Sequence, residues 1–311
     1  MTRIPDFMKQ SRPITPHRTH KACGCTGVRW CAKCLDPELR KSHKMDPPLA
    51  LPRFLEDRPL PGTPGIVDFD FVSNKAPRCP DFTGLIVIPE FLSPAEELDL
   101  LAQIESTPFT LAQSGKQKQH FGAKVNFNKQ QLNASAFKGL PDYLQSLEAR
   151  LRDAFLDIED LPIEIMQQRD EALRHYETTD LFVLRYHERD ASNLDLHVDD
   201  TFSYGEAIFD VSLESDSFMT FTRPADEDAR KDRVQCVRVP LPARSAAFLF
   251  GNARYEWEHG ILAYDIKQQR TSITLRTLSS ELRKTPEGQI VLAVARKTTK
   301  RKTETTSARC R

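Results

Sequence analysis

His197 and Asp199 stand two residues apart in the run NLDLHVDD, and His259 follows 62 positions after His197, in the segment EWEHG. In an extended chain residues i and i+2 face the same side, so His197 and Asp199 can share one metal ion if His259 arrives from a later strand or its loop. Two imidazoles and one carboxylate on one face of an octahedron leave three positions open. That is the arrangement by which non-haem Fe(II) oxygenases take a co-substrate and O2. An H-x-D pair is common by chance, and a lone His259 is more often a hydrogen-bonded core or surface residue, so the triad needs a second constellation beside it.

The segment RTSITLR supplies one. The period of two on a strand puts Arg270, Ser272, Thr274 and Arg276 on one face. Two arginines on an inward face stay uncompensated unless an anion meets them, and a dicarboxylate such as 2-oxoglutarate offers their guanidinium groups a bidentate partner. The opposite register turns the arginines to water and buries Thr271, Ile273 and Leu275. That set is the more apolar, and strand pattern alone slightly favours it.

Seven cysteines are unevenly spread: Cys23, Cys25, Cys31 and Cys34 lie within twelve residues, while Cys79, Cys236 and Cys310 are isolated. The cluster suggests a metal knuckle in a reducing compartment, not a disulfide framework. Four thiolates can close a tetrahedral zinc site, with free thiols as the alternative, since C-x-C is tighter than the usual knuckle spacing. Plant-type iron-sulfur spacing is not present.

The elements that must position these groups follow from the remaining pattern. Of 311 residues 39% are hydrophobic and 28% charged, enough apolar side chain for a sizeable core. No run is long and apolar enough for a membrane-spanning helix, and the N-terminus lacks an apolar leader, so the expectation is an intracellular protein with no membrane partner. Net charge is zero, yet residues 1–50 carry ten bases against four acids and residues 295–311 seven against one, flanking an acidic body. Such arms fit a nucleic-acid or acidic-protein binder, but solvated tails or a nuclear-import signal such as KTTKRK come first, and cytoplasmic and nuclear residence is expected. Eight prolines between Asp46 and Asp81 describe a linker or wrapping arm. FTGLIVIPEFL reads as a strand leading into the helix SPAEELDLLAQI, whose Ser93, Pro94 and Glu96 form a capping box. Leu144, Leu147, Leu151 and Phe155 make one stripe of a second helix from Pro141 to about Ile158. After residue 178, seven short alternating runs (LFVLRY, NLDLHV, AIFDVSL, SFMTF, VRVPLP, SAAFLF, SITLRTL) indicate an antiparallel sandwich or jelly roll. The expected fold is α+β: a double-stranded β-helix with supporting N-terminal helices, preceded by the Cys-rich knuckle. The divisions are a basic Cys-rich segment (1–45), a linker (46–81), a catalytic domain (82–294) and a basic tail (295–311).

The order His197, Asp199, His259, then R-x-S-x-T-x-R, resembles the AlkB-like Fe(II)/2-oxoglutarate dioxygenases, and within them the animal AlkB homologue four branch. The Cys-Gly-Cys-x5-Cys-x2-Cys start, the run QSGKQKQHFGAKVNFNKQ from Gln113, and PLPARS from Pro240 match that branch in order. The resemblance covers most of residues 23–280, leaving out the tails and 159–178. It implies His197, Asp199 and His259 as iron ligands, Arg270 and Arg276 as 2-oxoglutarate anchors, and Ser272, Thr274 and the Tyr186 hydroxyl as further co-substrate contacts. Two positions depart from the family pattern, Leu184 and Ser272, each standing where the family has Asn. The implied reaction is oxidative N-demethylation, in which 2-oxoglutarate and O2 are consumed and the hydroxylated N-methyl group collapses to formaldehyde and the amine. The implied substrate is methyl-lysine in a protein such as actin, or N6-methyladenine in nucleic acid. The run from Gln113 to Lys129 lies where the family has its substrate lid, and its Lys116, Lys118, Lys124 and Lys129 interleave with Phe121 and Phe127, a pattern that fits stacked bases or an acidic protein surface. The competing class is a catalytically idle zinc-knuckle and jelly-roll scaffold that binds a protein or nucleic-acid partner.

Overall fold

The computed structural model describes residues 66–307, apart from 72, 77, 78, 113, 114, 128 and 225–233. In chain order it runs β1 (Ile66–Asp68), β2 (Leu85–Ile88), α1 (Pro94–Glu105), β3 (Thr110–Leu111), β4 (Gln117–Phe121), β5 (Lys124–Asn126), β6 (Gln131–Asn133), α2 (Leu144–Leu156) and α3 (Ile163–Arg174). Then follow β7 (Asp180–His187), β8 (Leu194–His197), β9 (Tyr204–Leu213), β10 (Ser217–Pro224), β11 (Val234–Leu241), β12 (Ala246–Leu249), α4 (Gly251–Tyr255), β13 (Glu258–Ile261), β14 (Gln269–Leu278), α5 (Ser280–Arg283) and α6 (Pro286–Ser307). No helix among the described residues is long and apolar enough to cross a membrane.

Two sheets face each other in the jelly-roll manner. The larger has seven strands in the order β2-β12-β9-β14-β7-β4-β3, and the smaller five, β1-β11-β10-β13-β8. All seven runs read as strands after residue 178 are strands. The helices α1, α2, α3, α5 and α6 cover the outer face of the larger sheet. Ser93 caps α1 as its sequence requires: its hydroxyl accepts from the Glu96 amide, and Glu96 accepts from the Ser93 amide at 2.8 Å. The stripe Leu144, Leu147, Leu151 and Phe155 is buried, and Phe155 meets Phe209 and Phe248 of the sheet at 5.5 and 5.4 Å between ring centres.

Each face of the larger sheet therefore has its own core. Ile273, Leu275, Phe209, Val211 and Leu181 belong to the helix side, whereas Tyr186, Ile208, Ala247 and Leu249 belong to the space between the sheets. This settles the two registers of RTSITLR in an unexpected way. The apolar set is buried under the helices, the arginine set faces the inter-sheet space, and neither is in water. Strand pattern pointed to the alternative register because it assumes one wet face, and β14 is covered on both.

Other readings are corrected at their edges. The proline-rich stretch joins the fold before its end: β1 pairs in parallel with β11, and Phe69, Cys79 and Phe82 are buried between the sheets. The basic C-terminal segment is no separate tail at its start, because α6 runs through it and buries Val291, Leu292 and Ala295. Residues 159–178 hold α3, whose Arg169 is buried and donates to the carbonyls of Phe155 and Ile158. The four N-terminal cysteines lie outside the described residues.

Candidate metal and co-substrate site

His197 ends β8, Asp199 follows two residues later, and His259 stands on β13 directly opposite His197 in the strand register. That register depends on Gly260, where a Cβ would come within 2.5 Å of the Leu194 carbonyl oxygen of β8. With glycine there the two backbones close up and the imidazoles meet, their ring centres 4.7 Å apart. One ligand atom from each of His197, Asp199 and His259 lies within 4.8 Å of the others.

The donor set fits a divalent iron. His259 Nε2 is 3.7 Å from Asp199 Oδ2, and that oxygen is buried without a hydrogen-bond partner. A buried orphan acceptor is costly unless a cation meets it. His197 is oriented by its Nδ1, 2.8 Å from the Asp195 carbonyl oxygen, the kind of ring anchor that leaves Nε2 for a metal. Burial pushes His259 down to about 3, with His197 beside it adding to the effect, so its ring is neutral and able to ligate. Burial acts to raise the Asp199 carboxyl, but Arg276, then the two histidines and Arg254, hold it well below the usual range.

Arg270 and Arg276 both point into the inter-sheet space and are spent differently. Arg276 Nη2 lies 2.9 Å from Asp199 Oδ1, with Nη1 3.5 Å from Asp180 Oδ1. Arg270, 1% exposed, donates its Nε to Ser212 Oγ at 3.0 Å and lies 3.2 Å from Asp210 through Nη2. Tyr186 stands opposite Arg270 across β7 and β14, its ring 5.4 Å from the guanidinium and its hydroxyl hydrogen-bonded to Ser272. Burial pushes that hydroxyl far up, so it stays neutral. Thr274 Oγ1 donates to Asp210 at 2.9 Å. The structure thus brings together every residue read from the strand pattern: Arg270, Ser272, Thr274 and Arg276 share one face with Tyr186. Leu184, in place of the family Asn, packs against the inter-sheet core beside Ser272.

Four neighbours escaped the sequence reading. Asp180 and Asp210 are buried acids paired to the two arginines, visible only once β7 and β9 are registered on β14. His120 on β4 lies 2.6 Å from Asp180 and stacks on Phe182 at 4.0 Å. Arg254 of α4 is fully buried and donates to main-chain carbonyls of Asp199 (2.8 Å), Gly205 (3.2 Å), Tyr204 (3.2 Å) and Asp200 (3.4 Å). Its place five residues before His259 was the one available signal.

The lid reading divides. Lys124, Lys129 and Phe127 are exposed on and beside the hairpin β5–β6, Phe127 by 52%. Lys116 is turned inward instead, where it donates to the Asn193 carbonyl and lies 5.9 Å from the centre of the Tyr186 ring. Phe121 packs against the helix-side core. A lysine counted as lid is therefore part of the wall.

The 2OG-Fe(II) oxygenase superfamily profile matches residues 84–281. The chain is 28% identical to the Homo sapiens alpha-ketoglutarate-dependent dioxygenase alkB homolog 4, over 88% of this chain and 93% of that protein. It is 30% identical to the Mus musculus protein of the same name, over 83% of this chain and 87% of that one. A Caenorhabditis elegans protein named DNA N6-methyl adenine demethylase is 26% identical over 84% of this chain and 88% of its own length. With a matching profile over most of the jelly roll, these relatives show that the chain belongs to the 2OG-Fe(II) oxygenase superfamily as an AlkB-like dioxygenase using Fe(II) and 2-oxoglutarate.

Proposed function

We propose that this dioxygenase removes a methyl group from a ring or exocyclic nitrogen of a nucleic-acid base, as in N6-methyladenine. His197, Asp199 and His259 hold the iron, Arg270 anchors the distal carboxylate of 2-oxoglutarate, and Arg276 stands nearer the metal. Iron held there would activate O2, the oxidant, with 2-oxoglutarate supplying two of the four electrons and the N-methyl group the other two. The chain's own part is to fix the three ligands, neutralise the co-substrate and keep the inter-sheet space dry.

The observation that carries the choice of substrate is the cluster of flat side chains beside Asp199. Phe182 stacks on His120 with 10° between the ring planes, and the Arg276 guanidinium lies 5.5 Å from the Phe182 ring centre and 4.9 Å from that of Tyr204. Aromatic faces mixed with guanidinium suit a splayed-out base, and the exposed Lys124, Phe127 and Lys129 add a basic, stacking surface on the segment that continues from His120. The name of the nematode relative supports the same reading. The four-cysteine segment and its basic arm are assigned to docking of the macromolecular substrate. Formaldehyde release from an N6-methyladenine oligonucleotide and from a methyl-lysine peptide, assayed side by side, tests the proposal. Release from the oligonucleotide is expected; release from the peptide alone reassigns the enzyme to protein substrates.

A further inference from the structure

The co-substrate pocket contains an acid where an anion is meant to bind. Asp210, on β9 opposite Thr274, is buried with Oδ1 accepting from Thr274 at 2.9 Å and Oδ2 lying 3.2 Å from Arg270. The guanidinium that awaits a carboxylate already faces one.

We propose that Asp210 couples co-substrate binding to the uptake of one proton, so that it sets both the affinity for a dicarboxylate and the pH at which that affinity fails. The inference rests on Arg270 being the 2-oxoglutarate anchor. With Asp210 ionised, the arriving distal carboxylate puts two negative charges against one guanidinium in a water-poor space, and two carboxylates sharing such a site do not both stay charged. The other charged group from β14, Arg276, cannot make up the balance, because it is already shared between Asp199 and Asp180. From β7 the facing group is Tyr186, whose buried hydroxyl stays neutral. On the other side β12 presents Ala247, and the inter-sheet core around it is apolar. The remaining solution is a proton moving from solvent to a carboxylate oxygen of Asp210. No bond of the co-substrate changes. The acid so formed becomes a hydrogen-bond donor in place of a repelling charge.

Burial already raises the Asp210 carboxyl above its ordinary value, against the pull of Arg270 and Thr274. A second carboxylate raises it further. The sign then follows: the complex binds more protons than the free enzyme, so affinity is greatest at low pH and weakens as pH climbs toward the raised value in the complex, by up to about tenfold per pH unit. The pocket also gains a filter, since a 2-oxo acid without a distal carboxylate requires no proton and forfeits the Arg270 contact.

Calorimetric titration of 2-oxoglutarate into the full chain loaded with Fe(II) under argon, from about pH 6 to about pH 8.5 in two buffers of different ionisation enthalpy, counts the proton directly. The expected result is uptake of roughly one proton within part of that range and a dissociation constant that rises with pH. Asp210→Asn is expected to take up none, to bind with a flat pH profile, and to exceed the unsubstituted chain in affinity at high pH. A proton count near zero in the unsubstituted chain, or an unchanged count in Asp210→Asn, overturns the inference. Should that variant not fold, the count on the unsubstituted chain decides alone. Arg270→Lys separates the two layers: undiminished affinity for 2-oxoglutarate in that variant would remove Arg270 as the anchor, whereas weakened affinity there together with no proton uptake by the unsubstituted chain would overturn only the role of Asp210.

Discussion

Arg276 Nη2 sits 2.9 Å from Asp199 Oδ1 and leaves Oδ2 of the same carboxylate buried without a partner, facing His259. One oxygen is clamped and the other is presented, so the carboxylate is oriented before any metal arrives.

Loss of the ligands separates metal binding from folding. His197→Ala is expected to abolish Fe(II) retention and 2-oxoglutarate decarboxylation with little change in melting temperature, because its side chain, 17% exposed, is less buried than those of Asp199 and His259. Asp199→Ala is expected to lose both activities and about 3 kcal/mol of stability as well, since it leaves Arg276 with only the longer Asp180 contact. Metal analysis and thermal melts check both, and turnover by either variant would end the triad assignment.

Arg270 and Arg276 should fail in different ways. Arg270→Lys keeps the charge but loses the planar fork, and a KM for 2-oxoglutarate raised roughly tenfold is expected with iron content intact. Arg276→Lys should weaken iron binding too, because it releases Asp199. Steady-state kinetics with metal titration of each variant distinguishes the two patterns.

The pair His120 and Asp180 is open to attack from Gly122. A Cβ there would lie 2.2 Å from Asp180 Oδ2 and 2.8 Å from His120 Nε2, so Gly122→Ala should force them apart. Both Gly122→Ala and His120→Ala are expected to raise the KM for the macromolecular substrate several-fold while substrate-free 2-oxoglutarate decarboxylation changes little. Comparable loss in both assays would place the pair in structural support of Arg276 alone.

A fourth expectation concerns zinc and the four cysteines near the start of the chain. A protein shortened to begin at residue 46 is expected to lose one zinc per chain and to retain iron-dependent decarboxylation, since thiolates select zinc while two imidazoles and a carboxylate with open positions accept iron. Elemental analysis of the two lengths is decisive: equal zinc contents would make Cys23, Cys25, Cys31 and Cys34 ordinary thiols.

Much of this was readable in advance because the signals were local. A capping box at Ser93, a stripe at Leu144 to Phe155 and period-two runs after residue 178 each depend on neighbours a few residues apart. The strand β13 escaped because it is four residues long and lies in EHGI, with a glycine and two ionisable side chains. For β14 the strand pattern leaned to the register that turns the arginines to water, since alternation tells two faces apart but not that both are covered. Asp180, Asp210 and Arg254 acquire meaning only through pairing over 55 to 96 positions, which no short motif encodes.

Arg254 deserves one more test, for it holds the turn after the metal strand. Arg254→Ala strands several buried carbonyls, each worth about 1–3 kcal/mol, and is expected to leave little folded protein. Arg254→Lys should fold with a lowered melting temperature and a weaker grip on iron, as thermal melts and metal titration would show.

What Arg254 holds is main chain, through oxygens that every residue possesses. The grip is therefore indifferent to spelling. Within the turn from Asp199 to Gly205 the exposed Thr201 side chain lies outside that grip. A chain built this way can change the exposed lettering of that turn while the frame that carries Asp199 stays as it was.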